Sequence, residues 1–234
     1  MNKRIGVRIL DTKKGKFQHI AIDGPAGAGK STVARKVAEK LGICYLDTGA
    51  MYRVVAYKVL AAGISLLDEE KVTSIAKNTK IRFGYSEENS VYCDDKDVTD
   101  QIRSPEVSRA VSVVASYQGV RESMVTLQRQ EATKGSLVMD GRDIGTYVLP
   151  EADVKIYLTA LAEERAKRRY LEHIEAGKES NLEQVLLDIE TRDRLDSERE
   201  HAPLRPAENA IILDTTGLSI EEVTRKIVKI VREA

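Results

Sequence analysis

Apolar residues along this chain alternate between two rhythms. Short runs at 18–22, 43–46, 136–140, 154–158 and 210–214 have the length of a strand buried on both faces. Between them, longer stretches repeat apolar residues every three or four positions and predict helices near 30–41, 49–62, 118–133, 162–176 and 219–233. Strand alternating with helix argues for an α/β fold, a mostly parallel sheet of about five strands with helices on both faces. The last helix opens with Ser219-Ile220-Glu221-Glu222, a capping box. Its apolar face, Ile220, Val223, Ile227, Ile230 and Val231, is expected to pack on the sheet.

The rhythm breaks between residues 65 and 102. After a predicted helix at 68–78 come short alternating runs, Lys80–Tyr85, Ser90–Cys93 and Lys96–Val98. Glu87-Glu88-Asn89 and Asp94-Asp95 read as the turns of a small antiparallel meander, inserted as a subdomain in the parallel core. From Glu163 to Pro206 the chain is highly charged and helical. There Ser180-Asn181-Leu182-Glu183 reads as a second capping box, so Gly177 should end one helix and Ser180 begin the next. Residues 1–16, with Lys13-Lys14-Gly15-Lys16, read as a loosely attached arm before a single domain at 17–234.

A length of 234 residues suits one large α/β domain. Lys+Arg and Asp+Glu balance at 37 each, so no net field favours nucleic acid or an anionic membrane, and an anion site must come from local clustering. Cys44, in a run expected to be buried, and Cys93, in a polar hairpin, suggest neither a metal set nor a disulfide. Met1–Gly6 lacks an apolar leader and no run of 18 apolar residues occurs, so a soluble, cytoplasmic chain is expected.

Candidate chemistry begins at Gly24-Pro25-Ala26-Gly27-Ala28-Gly29-Lys30-Ser31, a full match to G-x-x-x-x-G-K-[ST] with a predicted strand before it and a helix after it. Such a loop turns consecutive N–H groups toward phosphate oxygens at a helix N-terminus. Lys30 is placed to reach the β- and γ-phosphates and the Ser31 hydroxyl to ligate Mg²⁺, so a nucleoside triphosphate is implied. Asp140 ends an apolar strand, from which a carboxylate can hold Mg²⁺ directly or through water; an Asp closing a strand is also ordinary turn chemistry. A guanine-reading N-K-x-D is missing. Asp214-Thr215-Thr216-Gly217 reads as a strand-to-helix turn.

Arginine placement narrows the picture. Arg142 follows a core strand, at the carboxyl end where open α/β sheets bind ligands. Arg165, Arg168 and Arg169 share one helix face, and Arg192, Asp196 and Arg199 another. Arg suits forked contacts to phosphate and carboxylate, although one Arg on a charged helix is more often a solvated pair. An acceptor that is itself a phosphate would need such a set. Each unit-charge repulsion at ~4 Å costs about 4 kcal/mol at an effective dielectric of ~20. A phosphate oxygen is already anionic, so no strong general base is required. His19, His173 and His201 stand in no base-like context.

With Asp47-Thr48-Gly49-Ala50-Met51-Tyr52-Arg53, Asp140-Gly141-Arg142-Asp143-Ile144-Gly145-Thr146 and Arg192-Asp193-Arg194-Leu195-Asp196-Ser197 added to the loop, the chain from about residue 18 onward closely resembles the bacterial cytidylate (CMP) kinases. The resemblance implies a P-loop kinase fold with an antiparallel monophosphate-binding subdomain at about 65–102 and a helical lid at about 162–180. It implies Mg²⁺- and ATP-dependent phosphorylation of CMP and dCMP by a monomer with no nucleic-acid or membrane partner. Gly24, Pro25, Ala26, Gly27, Ala28, Gly29, Lys30, Ser31 and Thr32 would hold ATP, with Lys30 stabilising the transferred group. Arg53 and Arg142 would grip the CMP phosphate, beside the segment that Thr48 begins. Ser112, Arg121, Asp143 and Arg199 would read cytosine, and Arg192 and Asp196 would contact the ribose. Arg165 with Arg168 or Arg169 would close over the phosphates as lid residues. Ser31 and Asp140 would serve the metal. A kinase of the same fold for another monophosphate or a small metabolite is the nearest alternative, and a nucleotide-binding switch without an acceptor is a second.

Overall fold

The computed structural model describes residues 18–84 and 90–234; the arm at 1–16 and the Glu87-Glu88-Asn89 turn lie outside them. The chain opens with β1 (His19–Asp23), α1 (Lys30–Leu41), β2 (Cys44–Asp47), α2 (Thr48–Ala61) and α3 (Glu69–Lys77). A small meander follows, β3 (Ile81–Phe83), β4 (Val91–Cys93) and β5 (Lys96–Asp97), then a 3-10 turn at Gln101–Arg103. Next come α4 (Pro105–Val114), α5 (Gln118–Ala132), β6 (Leu137–Gly141) and a wide π-type turn at Ile144–Val148. The chain ends with β7 (Val154–Thr159), α6 (Ala162–Glu175), α7 (Leu182–Glu198), β8 (Ile211–Asp214) and α8 (Ile220–Glu233).

Five strands make one parallel sheet in the order β2-β6-β1-β7-β8. Because both faces are covered, the central strand reads Ile20-Ala21-Ile22 without alternation and is wholly buried. On one face, Val33, Val37 and Leu41 of α1 and Ile227 and Val231 of α8 pack on Ile20, Ile22 and Ile156. On the other, Val125 and Ala132 of α5 meet Ala21, Leu46 and Met139. The neighbours of β1 are distant in sequence: Gln18 N–H donates to Ser136 Oγ, 118 positions along. The carboxyl ends of β1 and β6, Asp23 and Asp140, lie at one edge of the sheet, where a ligand crevice is expected.

The meander forms as expected, β3-β4-β5 antiparallel, with Asp94 and Asp95 turning at φ 48° and 67°. Its inner side, Val91 and Cys93, packs with Val98 and Ile102 on Ala50 and Val54 of α2. A second cluster joins α2, α3, α4 and α5.

Several local expectations shift. Helix α4 was not predicted, although Ser104 caps it by accepting Val107 N–H at 3.3 Å and Pro105 sits in its first turn. Helix α7 begins one residue later than the capping-box reading placed it. Asn181 is its N-cap, accepting Gln184 N–H at 2.9 Å, while Ser180 Oγ pairs with His173 Nδ1. The buried face of α8 carries Val228, whereas Ile220 is largely exposed. The two cysteines are exchanged in burial: Cys44 is exposed and Cys93 buried, because β2 is an edge strand and β4 is the middle strand of its sheet.

Candidate active site

The donor loop is built on a backbone that only glycine allows. Gly24 has φ 146°, and a Cβ there would lie 2.0 Å from the Leu158 carbonyl oxygen. The chain then curls through Gly27 and Gly29 into the first turn of α1, which points its free N–H groups into the loop. Lys30 is buried, with Nζ donating to the Pro25 carbonyl at 2.7 Å. Burial, then the positive Arg142, lowers its pKa well below the ordinary value.

Asp140 gathers hydroxyls. Oδ2 accepts Ser31 Oγ and Oδ1 accepts the Tyr45 hydroxyl, both at 2.8 Å, and its backbone carbonyl accepts Thr48 Oγ1 at 2.7 Å. Burial, then the nearby Asp47, pushes its pKa from an ordinary 3.8 to about 7. Carboxylate and hydroxyl oxygens form a hard donor set, which suits Mg²⁺. Among the described residues no three His, Cys, Asp or Glu side chains form a metal cage. Asp23 accepts the Ile144 and Gly145 N–H groups at 2.8 and 2.7 Å and so fixes the turn after Arg142. Burial raises its pKa to about 6 against those bonds.

Opposite the loop lies a crowd of cations. Arg142 Nε donates to Asp196 Oδ2 at 2.8 Å. Arg192 reaches the same oxygen only at 3.9 Å, and its Nε is shut from solvent without a hydrogen-bond partner. Burial, then Arg142, lowers the Arg192 pKa to about 9. Arg53 is held by the Ile102 carbonyl at 3.2 Å and Ser108 Oγ at 2.8 Å. Its pKa falls to about 10, chiefly through burial, with Arg169 and Arg142 adding repulsion against the pull of Asp47. Next to this group, Asp143 is paired with Arg121 and stands 3.3 Å from Arg199 Nη2, which is also buried without a hydrogen bond. Tyr52 lies under Arg121, with its ring centroid 5.7 Å away. Ser112 is half-buried on α4, one turn beyond Ser108. Thr48 is also present, as a brace for the Asp140 backbone.

The lid arginines divide. Arg169 keeps a partner on its own helix, Glu172 at 2.9 Å, and its charge reaches both Arg53 and Arg192. Arg168 is turned away, donating to Thr215 Oγ1 at 3.0 Å and to the Thr215 carbonyl at 2.7 Å. Arg165 is buried and bound to the loop itself, through the Ala26 carbonyl at 2.8 Å and Asp193 Oδ2 at 2.5 Å. Of the three expected lid residues, Arg165 is thus engaged with the loop backbone and Asp193, Arg168 with Thr215, and Arg169 with Glu172. Sequence reasoning passed over Tyr45, Asp23 and Asp193. Tyr45 and Asp23 sit on strands whose register carries them to the site, whereas Asp193 depends on how α7 packs, which no local spacing reports.

The model of the family described as cytidylate kinase matches residues 20–233. A cytidylate kinase of Desulfitobacterium hafniense is 57% identical over 211 residues, covering 90% of this chain and 91% of the relative. One from Bacillus cereus is 54% identical over 213 residues, covering 91% and 95%. Among solved structures, an uncharacterized protein from Eubacterium ventriosum shares the fold at a TM-score of 0.54 and 13% identity, covering 93% of this chain and 99% of its own. With the phosphate loop, the buried arginines and these likenesses together, the chain belongs to the cytidylate kinase family.

Proposed function

We propose that this enzyme transfers the γ-phosphoryl group of ATP to CMP or dCMP, releasing ADP and the cytidine diphosphate. The observation that carries the reading is that four arginines opposite the phosphate loop, Arg121, Arg142, Arg192 and Arg199, share the two carboxylates Asp143 and Asp196, with Arg192 Nε and Arg199 Nη2 in ion pairs but without a hydrogen bond. Shielded donors that make no hydrogen bond, among arginines that outnumber the carboxylates they share, call for an anionic, hydrogen-bonding ligand. Arg53 and Arg142 take the acceptor phosphate. Asp143, offering a carboxylate between Arg121 and Arg199, meets the base with Ser112, since a carboxylate accepts from the exocyclic amine of cytosine. Arg192 and Asp196 hold the sugar.

On the donor side, the N–H groups from Gly27 to Thr32 cradle the phosphates. Lys30 leaves the Pro25 carbonyl for the transferred group, where an ammonium offsets the charge spread over its oxygens. Ser31 and Asp140 would hold Mg²⁺, which when bound would neutralise phosphate charge and orient the triphosphate. Residues 65–102 act as the monophosphate-binding subdomain and 162–180 as a lid that brings Arg169 in and excludes water. The protein acts as a monomer in the cytoplasm; among the described residues no helix is long and apolar enough to cross a membrane.

The test is ADP production from MgATP with CMP, dCMP, UMP, AMP or no acceptor. Turnover confined to CMP and dCMP is expected. Equal ADP with and without acceptor, or preference for a purine, would overturn the reading.

A further inference from the structure

Asp193 lies on α7 between Arg192 and Asp196 of the acceptor cluster, yet it faces the donor loop. Its Oδ1 accepts Ala26 N–H at 3.0 Å and its Oδ2 accepts Arg165 Nη1 at 2.5 Å. The same Nη1 donates to the Ala26 carbonyl at 2.8 Å, and Arg165 Nε is anchored on the Ala160 carbonyl at 3.0 Å. One loop residue is thus held at both its N–H and its C=O, by a carboxylate from α7 and a guanidinium from α6. The next residue, Gly27 at φ 74°, leaves only 3.1 Å between a Cβ and Arg165 Cβ, so α6 rests directly on the loop.

An ion pair on an open surface would mean little. This one is 8% and 19% exposed at its two side chains, and it closes a ring with the loop backbone. Helix α7 is continuous through Asp193, and Arg192 and Asp196 lie within one turn of it. Ala26 of the loop is therefore joined, through one helix, to the two side chains that pair with or crowd Arg142.

Resting on the functional reading above, we propose that Asp193 is a positioning residue that couples the two substrate sites. Filling the phosphate loop sets the placement of Arg192 and Asp196 through it, and binding of the acceptor holds the loop in return. Coupling of this kind is reciprocal, since each ligand changes the affinity of the other by the same factor.

The experiment measures CMP affinity by calorimetry for the full-length wild type, Asp193→Ala and Asp193→Asn, with and without a saturating non-hydrolysable ATP analogue and Mg²⁺. Wild type should bind CMP on the order of tenfold tighter when the analogue is present. Asp193→Ala should bind CMP alone within about twofold of wild type and lose that enhancement. Asp193→Asn keeps an acceptor for Ala26 N–H but not the charge facing Arg165, and should retain part of it. Weakening by the same factor with and without the analogue would mark a merely structural residue and overturn the proposal. So would an enhancement that survives in Asp193→Ala or is missing from wild type. Should Asp193→Ala not fold, Asp193→Asn decides, and an undiminished enhancement there overturns the proposal. A wild type that binds no CMP and shows a flat acceptor panel removes the functional reading itself, which is a different result.

Discussion

The donor and acceptor sides of the cleft differ in how their charges are settled. On the donor side every named group has a partner within the protein: Lys30 rests on Pro25, Ser31 on Asp140, and Ala26 between Arg165 and Asp193. On the acceptor side, Arg121, Arg142, Arg192 and Arg199 share two carboxylates, Asp143 and Asp196, and nitrogens of Arg192 and Arg199 have no hydrogen bond. The proposed function accounts for the difference by what each side would bind. A glycine loop cradles phosphate with neutral N–H dipoles, so it can be complete before ATP arrives. The acceptor side uses full charges, whose repulsion is relieved only by an anion. One side is shaped in advance and the other is held under electrostatic strain.

The harshest way to break this contrast is Arg142→Ala, which removes the central acceptor cation and leaves Asp196 with Arg192 at 3.9 Å. Truncating one partner of a buried charged pair costs about 2–5 kcal/mol, so kcat/KM for CMP should fall on the order of 10²–10³-fold in a coupled ADP assay. A loss of tenfold or less would place the acceptor phosphate elsewhere.

Next is Asp140→Asn, which tests the partnered side. Turnover should drop roughly 100-fold as the metal oxygen is lost. Stability should move the other way. Because the native carboxyl titrates at about 7 and an unfolded one at 3.8, the folded state binds the extra proton between these values. This contribution therefore falls as pH rises from about 4 to 7. Ligand-free Asp140→Asn should then melt above wild type at pH 8 and lose that advantage at pH 4; a variant less stable at both would refute the buried-charge account.

A gentler probe leaves the sequence alone. CMP at 100 times its Kd should stabilise the fold by about 2.7 kcal/mol. For a chain of this size that raises Tm by about 5–10 °C in a thermal-shift measurement. CMP without ATP should give most of that rise, because the repulsion it relieves exists before the donor binds. The smallest effect on turnover belongs to Arg168→Ala, expected to stay within about threefold of wild type because its hydrogen bonds go to Thr215 rather than into the cleft. Arg169→Ala should lose more, and the reverse order would reassign the lid.

The sequence exposed the sheet well because a parallel sheet covered on both faces writes itself as uninterrupted apolar runs, as in Ile20-Ala21-Ile22. The loop was equally plain, since its glycines are demanded by local backbone geometry. Helix α4 was less legible, although Ser104-Pro105 announces it, because Val107, Val111, Val113 and Val114 are weak helix formers among its ten residues. What stayed hidden depends on packing between distant segments. Whether Arg165, Arg168 or Arg169 reaches the phosphates is decided by rotation of α6 against β8 and the loop, and the three share one face in any helical projection. Asp193 is likewise one of many acidic residues on a charged helix until α7 is docked.

The strand that carries the phosphate loop must wait for its neighbours. Both β6 and β7 are synthesised more than a hundred residues after β1, and at ~5–20 residues per second the ribosome needs on the order of ten seconds to supply them. Meanwhile α2, α3, α4 and α5 have everything needed for their shared apolar cluster. On the nascent chain, the helices that carry Arg53 and Arg121 can therefore assemble while Ile20 and Ile22 are still unpaired. Assembly runs opposite to the order of synthesis: the first motif to emerge is among the last to be finished, and a message cut short before Leu137 yields a protein with its nucleotide loop on a strand that has no sheet.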